Sequence, residues 1–237
     1  SAHWKLKDGV VDSSPLSDTP RPGNAKFKKL TPVDPNSTNP YQLTEADRTV
    51  IGNTTPKFSG GFGLNATYKG FDMSMFFNFM YDFDVLNANK IMLTTWADNK
   101  ENNFLMDIAS DKRWRNFDDM GNEIRYSPEV LAEFNKNATM WNPTSIGRPI
   151  CMSYAVEDGS FLRLNSATLG YTLPSVWTKK VGLSKVRFYV SGNNLFTLTG
   201  YSGYDPEVNI ATGLTPNIDY DRYPRSRTYT FGAQLTF

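Results

Sequence analysis

The acidic residues of this chain include two adjacent pairs that could be taken for the carboxylates of a glycosidase. They are Asp118–Asp119 and Glu157–Asp158. A glycosidase holds two carboxylates about 5–9 Å apart across a sugar, and neighbours in one loop have no reason to adopt that spacing. The chain also has one histidine, His3, and one cysteine, Cys151. A single histidine close to the N-terminus leaves no sensible Ser-His-Asp or Cys-His constellation, and a single cysteine allows no internal disulfide. The sequence therefore predicts that the protein is not an enzyme.

Aromatic side chains within polar stretches are the second group of candidate functional residues, and their role would be non-covalent binding. Aromatic faces beside hydrogen-bonding groups suit sugar rings, and they also anchor protein interfaces. The candidates for a ligand or partner role are Trp96, Trp114, Trp141, Tyr201 and Tyr204. The alternative for the tryptophans is packing within their own loop.

The elements that must position these loops are marked by period-2 alternation of apolar and polar residues. Five segments alternate: 58–68, 71–82, 161–173, 185–196 and 227–237. The first two flank the dipeptide KG, which predicts a tight β-hairpin. The third changes phase across Asn165–Ser166, which indicates a β-bulge. The sequence therefore predicts an antiparallel, all-β protein.

The length of these segments favours a membrane. They run for about ten residues or more, whereas strands of soluble proteins usually have about 5–6, and transmembrane strands need about 10. Several carry Tyr or Phe near their ends, as an interfacial aromatic girdle would. With no run of about 18 apolar residues, no spanning helix is predicted, and a net charge of +1 does not favour nucleic acid. The alternative is a soluble, secreted carbohydrate-binding β-sandwich.

Loop lengths suggest how the chain is organised. It divides into a loop region 1–57, a hairpin 58–82, a long loop 83–160, and three final strands within 161–237 that enclose a loop 197–226. If the strands alternate in direction, the short turns 69–70 and 174–184 fall on one side and the long loops on the other. Bacterial outer-membrane barrels show this asymmetry, with short periplasmic turns and long extracellular loops.

One short helix is predicted inside the long loop. Ser127 is placed to cap it, and Pro128 suits its first position. Its apolar stripe would be Val130, Leu131 and Phe134.

Four sequence blocks together resemble one family. They are EADRTVIGNTTPKFSGGFGLNATYKGFDMSMFFNF (45–79), VEDGSFLRLNSATLGYTLP (156–174), VRFYVSGNNLFTLTGYSGYDPEV (186–208) and YPRSRTYTFGAQLTF (223–237). In order and spacing they are similar to the final part of SusC/RagA-type TonB-dependent outer-membrane transporters.

This resemblance implies that the chain is a C-terminal segment with roughly the last five strands of a 22-stranded barrel, a size class with a plugged lumen. It implies import of oligosaccharides or peptides in the bacterial outer membrane. The implied partners are the rest of the barrel and its plug, membrane lipid, a SusD-like surface lipoprotein, and the TonB complex through an N-terminal region that these residues do not contain.

The resemblance also implies roles for particular residues. Asp34, Asn36 and Asp47 lie where many family members carry a calcium loop. The third acid and the glycine of that loop are missing and its spacing is stretched, which favours the alternative, a plain surface loop. No other cofactor is expected. Tyr201 and Tyr204 lie in a stretch that the family keeps across different substrates, which favours loop architecture over selectivity. Tyr229, Phe231 and Phe237 resemble the terminal signal for the barrel-assembly machinery; the alternative for Phe237 is that it anchors the closing strand at the membrane interface.

Overall fold

The structure is a computed structural model that describes residues 6–7, 10–11, 22–25, 27–32, 36, 43–95, 103–109, 112–145, 150–207 and 217–237. The chain divides into two compact units. Unit 1 comprises residues 1–51 and 88–155, and unit 2 comprises residues 52–87 and 156–237. Among the described residues, none of the helices is long and apolar enough to cross a bilayer.

Unit 1 consists of short elements joined by irregular segments. Its antiparallel strand pair is β1 (Leu6–Lys7) and β2 (Val10–Val11), and its helices are α1 (Ala88–Met92), α2 (Met106–Ala109) and α3 (Pro128–Phe134). Single 3₁₀ turns cover Glu45–Asp47, Pro143–Ser145 and Ser153–Ala155. With elements this short, packing of side chains must supply most of the stability.

Two apolar cores hold unit 1 together. The first contains Ala25, Ile108, Met140, Trp141 and Met152. The second contains Trp114, Ile124, Leu131 and Ala138, with Phe134 packed against it. Each core is centred on a tryptophan that is at most 4% exposed.

Helix α3 is confirmed, with one correction to its cap. It begins at Pro128 as predicted. Ser127, however, makes no side-chain cap hydrogen bond, and its backbone carbonyl accepts the first helical N–H, from Leu131, at 2.9 Å. The apolar stripe is also narrower than expected, because Leu131 is buried while Val130 is 47% exposed.

Unit 2 is a β unit. Its strands are β3 (Phe58–Tyr68), β4 (Phe71–Tyr81), β5 (Asp84–Asn87), β6 (Val156–Asp158), β7 (Phe161–Thr172), β8 (Lys185–Thr199), β9 (Ile218–Asp219) and β10 (Thr228–Thr236). The five long strands form one sheet in the order β3-β4-β7-β8-β10, with every pair antiparallel. The predicted antiparallel β fold is therefore confirmed, while the strand count of a whole barrel stays a prediction.

The connections at the two ends of this sheet differ. β3 and β4 are joined by Lys69 and Gly70, both with positive φ (46° and 88°), as a two-residue type I′ turn requires. A Cβ on Gly70 would lie 2.8 Å from the carbonyl oxygen of Thr172, so glycine is needed there. At the same end, β7 and β8 are joined by helix α4 (Ser175–Thr178) and a 3₁₀ turn, Lys179–Val181. The long connections lie at the opposite end.

The β-bulge predicted in the third segment is confirmed. The pairing of β7 with β8 shifts between Leu164 and Ser166, and its pairing with β4 shifts at the corresponding position, between Phe76 and Phe77. A bulge keeps the apolar residues on one face although their phase in the sequence changes.

A second, three-stranded sheet was not predicted. β5 pairs antiparallel with β6 and parallel with β9, so segments assigned to the loops 83–160 and 197–226 contain strands. Strand β8 also continues to Thr199, three residues into the second of those loops. Strands of two to four residues are too short to show a period-2 pattern, which is why the sequence did not reveal them.

Candidate functional site

The register of the five-stranded sheet collects large apolar side chains on one side, here called the apolar face. It consists of alternate residues of the five strands, starting at Phe58, Phe71, Leu162, Val186 and Tyr229, with the phase change at the bulge. Phe71 and Leu235 are 50% and 51% exposed and Phe231 is 80% exposed. A water-soluble protein would bury so large a surface, whereas the wall of a membrane barrel turns it toward lipid.

Packing along the apolar face links neighbouring strands. The rings of Phe62 on β3 and Phe77 on β4 stack with centroids 4.9 Å apart, and those of Phe71 and Tyr171 lie 4.5 Å apart. Such cross-strand pairs stabilise a sheet by a few tenths to about 1 kcal/mol each. The face is therefore ordered as well as exposed.

The opposite side, here called the polar face, carries an ion pair that crosses a strand. Arg187 on β8 reaches over β7 to Asp72 on β4, and its Nε donates to Oδ1 at 2.9 Å while a terminal nitrogen donates to Oδ2. Gly170 lies beneath, where a Cβ would come within 2.4 Å of the guanidinium. Arg187 also contacts the ring of Tyr189. A bidentate pair held in this way fixes three strands against one another.

A charge network with a buried ion pair at its centre lies at the other end of the sheet. Arg163 on β7, 3% exposed as a side chain, pairs with Asp205 and lies 3.5 Å from Glu207. Glu207 in turn pairs with Arg225 at 2.9 Å. Asp205 also accepts the backbone N–H of Glu207 at 2.9 Å. The network ties the segment after β8 to the strands.

Polar groups in the same region attach the small sheet. The hydroxyl of Tyr201 donates to Asp219 at 2.7 Å, and burial together with this carboxylate raises the pKa of the tyrosine. Glu157 accepts the backbone N–H of Ser202 at 2.9 Å and its hydroxyl at 2.8 Å. These contacts order the chain that follows the end of β8.

For Trp114 and Trp141 the structure favours the alternative, packing within their own region of the chain, over a ligand role. Trp141 is 1% exposed; its indole N–H donates to the carbonyl of Thr94 at 3.2 Å and its ring packs edge-on against Tyr154. Trp114 is 4% exposed in the second core. Neither presents a face to a sugar or a partner, because both packed cores depend on them. Trp96 lies outside the described residues.

The two tyrosine candidates differ in their exposure to solvent. Tyr201 is 6% exposed and hydrogen-bonded to Asp219, so it is a structural residue and not a ligand platform. Tyr204 is 81% exposed, and its ligand or partner role stays a prediction.

Asp47, a candidate calcium ligand, is occupied by donors of the chain itself. One oxygen accepts the backbone N–H groups of Leu30 and Thr31 at 2.9 and 2.7 Å and the Thr31 hydroxyl at 2.7 Å; the other accepts the backbone N–H of Thr44 at 2.9 Å. The Thr31 and Thr44 N–H groups foremost hold the pKa of Asp47 well below its usual range. Asp34 lies outside the described residues, and calcium binding with Asn36 stays a prediction.

The residues of the terminal aromatic signal are accessible. Tyr229 and Phe231 lie on the apolar face, 60% and 80% exposed, and Phe237 is 90% exposed beyond the end of β10. Their role in assembly stays a prediction.

The acidic pairs have structural partners. Asp118 accepts the backbone N–H groups of Met120 and Asn122 at 2.9 and 2.8 Å, and Asp119 pairs with Arg115 at 2.7 Å. Asp158 accepts the backbone N–H of Ser160 at 2.9 Å. These contacts shape turns.

The pairing of Asp72 with Arg187, and the network around Arg163, were not predicted. The alternation of their strands puts Asp72, Arg163 and Arg187 on the polar side, but it does not show that they pair. A signal for the pairing of Asp72 with Arg187 was present in the sequence. The two residues carry opposite charges, both are on the polar side of their strands, and both lie beside a short connection.

A two-faced antiparallel sheet of this length defines a membrane-barrel wall, and comparison with known proteins agrees. No protein-family model matches the chain. TonB-dependent receptor P3 of Formosa agariphila is 34% identical over 228 residues, which are 94% of this chain and 20% of the relative. TonB-dependent receptor SusC of Bacteroides thetaiotaomicron is 36% identical over 88 residues, 35% of this chain and 8% of that protein.

Solved structures of one transporter share the fold. The RagAB peptide importer in its 'open-open' state matches 86% of this chain and 20% of its own, with 25% identity and a TM-score of 0.59. The structure of the RagAB peptide transporter matches 77% of this chain and 17% of its own, with 24% identity and a TM-score of 0.56.

The chain belongs, over the part that it spans, to the SusC/RagA type of TonB-dependent outer-membrane receptors. It spans about a fifth of the length of the first relatives that it matches. These relatives are receptors and transporters, which fits the prediction that the chain is not an enzyme.

Proposed function

We propose that this chain is the C-terminal wall of a TonB-dependent barrel that imports oligosaccharides or peptides across the bacterial outer membrane. The observation that carries the proposal is the five-stranded sheet, with an exposed apolar face on one side and an ion-paired polar face on the other. A wall between lipid and a wet lumen needs this arrangement.

The mechanism is conformational and involves no covalent step. A solute would be captured at the end of the long loops and released through the lumen when a plug domain is pulled by the TonB complex. In this scheme the described residues supply rigid parts. The Asp72–Arg187 pair braces the lumen wall, and the network of Arg163, Asp205, Glu207 and Arg225 holds the loop after β8.

The substrate and partner assignments rest on the relatives. RagAB is a peptide importer, which supports a peptide as one substrate class. A SusD-like surface lipoprotein is the proposed lid, in keeping with the similarity to SusC. The exposed Tyr204, beyond the end of β8, is the residue of this chain proposed to contact a solute or the lid.

Uptake by cells tests this proposal. Cells with and without the full-length parent gene would be given fluorescent oligosaccharides or fluorescent peptides, with and without a protonophore that removes the energy for TonB. We expect uptake of one class that requires both the gene and the proton-motive force. Uptake that is independent of the gene or of the proton-motive force would overturn the proposal.

Partner and membrane assignments need two further measurements. A tagged parent protein, extracted in detergent, should retain a surface lipoprotein that mass spectrometry identifies. The same protein should be absent from the aqueous fraction without detergent. Recovery of the parent in that fraction would instead favour a soluble carbohydrate-binding β-sandwich.

A further inference from the structure

The connection between β7 and β8 has a composition that the transport function does not require. Residues 174–184 carry two lysines, Lys179 and Lys180, and no acidic residue. Both lysines are exposed. Beside them, Val176, Trp177 and Val181 are 69%, 59% and 70% exposed. An exposed tryptophan next to lysines is the composition of segments that lie at a membrane surface.

The burial of one strand residue indicates on which side of the sheet this connection lies. Val186 belongs to the apolar face, since it pairs with Leu235 on β10. It is nevertheless 5% exposed, whereas Phe188, two residues further on the same face, is 51% exposed. Helix α4 contacts β8, and the backbone N–H of Leu173 donates to the carbonyl of Val186 at 2.9 Å. The connection therefore covers the end of the apolar face.

The exposure of these side chains does not come from a missing neighbouring strand. β7 and β8 are flanked in the sheet by β4 and β10, so any strands that complete a barrel would add at β3 and β10. The connection is also fixed to its neighbour, because the backbone N–H of Ser184 donates to the carbonyl of Thr236 at 2.8 Å. The connection is thus held at the end of the sheet, next to the part of the apolar face where Val186 is buried.

We propose that residues 174–184 bind the bilayer surface on the short-turn side, with Val176, Trp177 and Val181 inserted at the interface and Lys179 and Lys180 on anionic phospholipid headgroups. Two arguments select this occupant: continuity with the lipid-facing sheet, and a positive charge without acidic neighbours in the segment. The inference rests on the proposed membrane wall and adds a lipid-binding site to it. A lysine near an anionic membrane contributes about fivefold in binding, which corresponds to ~1 kcal/mol.

The test uses the full-length parent protein with its reactive cysteines replaced, which in this chain means Cys151→Ser. One cysteine is then introduced and labelled with bimane. Val176→Cys reports the connection, Leu169→Cys the apolar face, and Gln234→Cys the polar face. Each protein is placed in phosphatidylcholine nanodiscs in which ~20 mol% of the lipid is brominated. The brominated lipid is either phosphatidylglycerol, which at this fraction changes the surface charge, or phosphatidylcholine, which does not.

We expect quenching at both Leu169→Cys and Val176→Cys and none at Gln234→Cys. Brominated phosphatidylglycerol should quench Val176→Cys more strongly than brominated phosphatidylcholine. Lys179→Gln/Lys180→Gln should abolish that preference, while the matched pair Lys28→Gln/Lys136→Gln in unit 1 should leave it unchanged.

The other outcomes overturn one proposal or both. Quenching at Leu169→Cys without quenching at Val176→Cys removes the interfacial site and leaves the membrane wall intact. Equal quenching of Val176→Cys by both lipids overturns the anionic headgroup contact. No quenching at Leu169→Cys overturns the membrane wall itself. The heat-dependent gel migration of folded barrels shows for each variant that it is folded.

Discussion

The two units bury their hydrophobic residues in opposite ways. In unit 1 both described tryptophans, Trp141 and Trp114, are interior, 1% and 4% exposed. In the sheet of unit 2 many large apolar residues are exposed, with Phe231 80% exposed, while the charged Arg163 is 3% exposed. One chain of net charge +1 thus contains regions suited to different surroundings.

This difference shows why composition alone is a poor guide here. A mean hydropathy of −0.46 describes neither region. What separates them is the phase of the apolar residues, which is regular in the sheet and irregular in unit 1. A strand that faces lipid on one side needs only half of its residues to be apolar, so its average hydropathy resembles that of a soluble protein.

The largest effect is expected from emptying a core of unit 1. Trp141→Ala should destabilise that unit by ~3–5 kcal/mol, the usual cost of removing a buried tryptophan. Hydrogen exchange of the full-length protein should then show faster exchange, by roughly 10²–10³-fold, at the amide of Asn142, which donates to Gly23 at 2.8 Å. Trp177→Ala, at an exposed site, is the control. Unchanged exchange in Trp141→Ala would mean that the ring is not a core residue.

A charge on the apolar face should have the next largest effect. Phe77→Arg, on the apolar face, should destabilise the folded barrel by ~2–4 kcal/mol if it lies near the bilayer midplane. Ser74→Arg introduces the same side chain on the polar face of the same strand and should cost far less. Urea unfolding of the parent barrel in lipid measures both. Equal costs would refute the assignment of the two faces.

Removing one hydroxyl from the region after β8 should have a smaller effect. Tyr201→Phe loses the hydrogen bond to Asp219, a carboxylate that is 1% exposed, but keeps the buried ring. We expect a loss of ~1.5–3 kcal/mol, as for other hydrogen bonds to charged groups. Hydrogen exchange of residues 217–220 should rise by roughly 10–10²-fold. Tyr204→Phe is the matched control, because Tyr204 is 81% exposed. If both variants behave alike, the buried hydrogen bond does not hold this segment.

The smallest expected effect is a loss of stability at acidic pH that depends on Asp47 in unit 1. Its pKa is lowered in the folded state, so it stabilises the fold fully only well above the unfolded value of about 3.9. This contribution should fall as the pH drops below that value toward the folded pKa. Exchange at the Thr31 and Thr44 amides should accelerate over this range relative to a reference amide in unit 2. In Asp47→Asn this pH dependence should vanish, and its persistence would exclude Asp47 as the titrating group.

The sheet could be predicted from the sequence because its surroundings impose a strict pattern. Alternation identified all five long strands and the bulge at Asn165–Ser166, and Asp72 and Arg187 both fall on the polar phase of their strands. The same pattern could not show that these two residues pair, because Arg187 reaches Asp72 across an intervening strand only where Gly170 leaves room. Contacts that depend on a third residue are not visible in the period of either strand.

Unit 1 was harder to predict, because the hydrogen bonds and packing contacts between its residues produce no periodic pattern in the sequence. Trp141 and Trp114 lie among polar neighbours, so the sequence leaves a ligand role and packing as alternatives, and contacts distant in sequence bury them. Trp141 donates to Thr94, 47 residues away. The sequence likewise offers Asp47 as a candidate for a calcium loop or for a plain surface loop, and it does not show that donors from Leu30 and Thr31 bind its carboxylate.

The pair of Arg163 and Asp205 has a consequence for how this region can change over time. Their side chains are 3% and 8% exposed, so losing either one leaves the other charge buried without its partner, at a cost of about 3–5 kcal/mol. Arg225 is 46% exposed, so water can replace its partner. Single replacements of Arg163 or Asp205 should therefore be rare, and natural variants are expected to alter these two residues together.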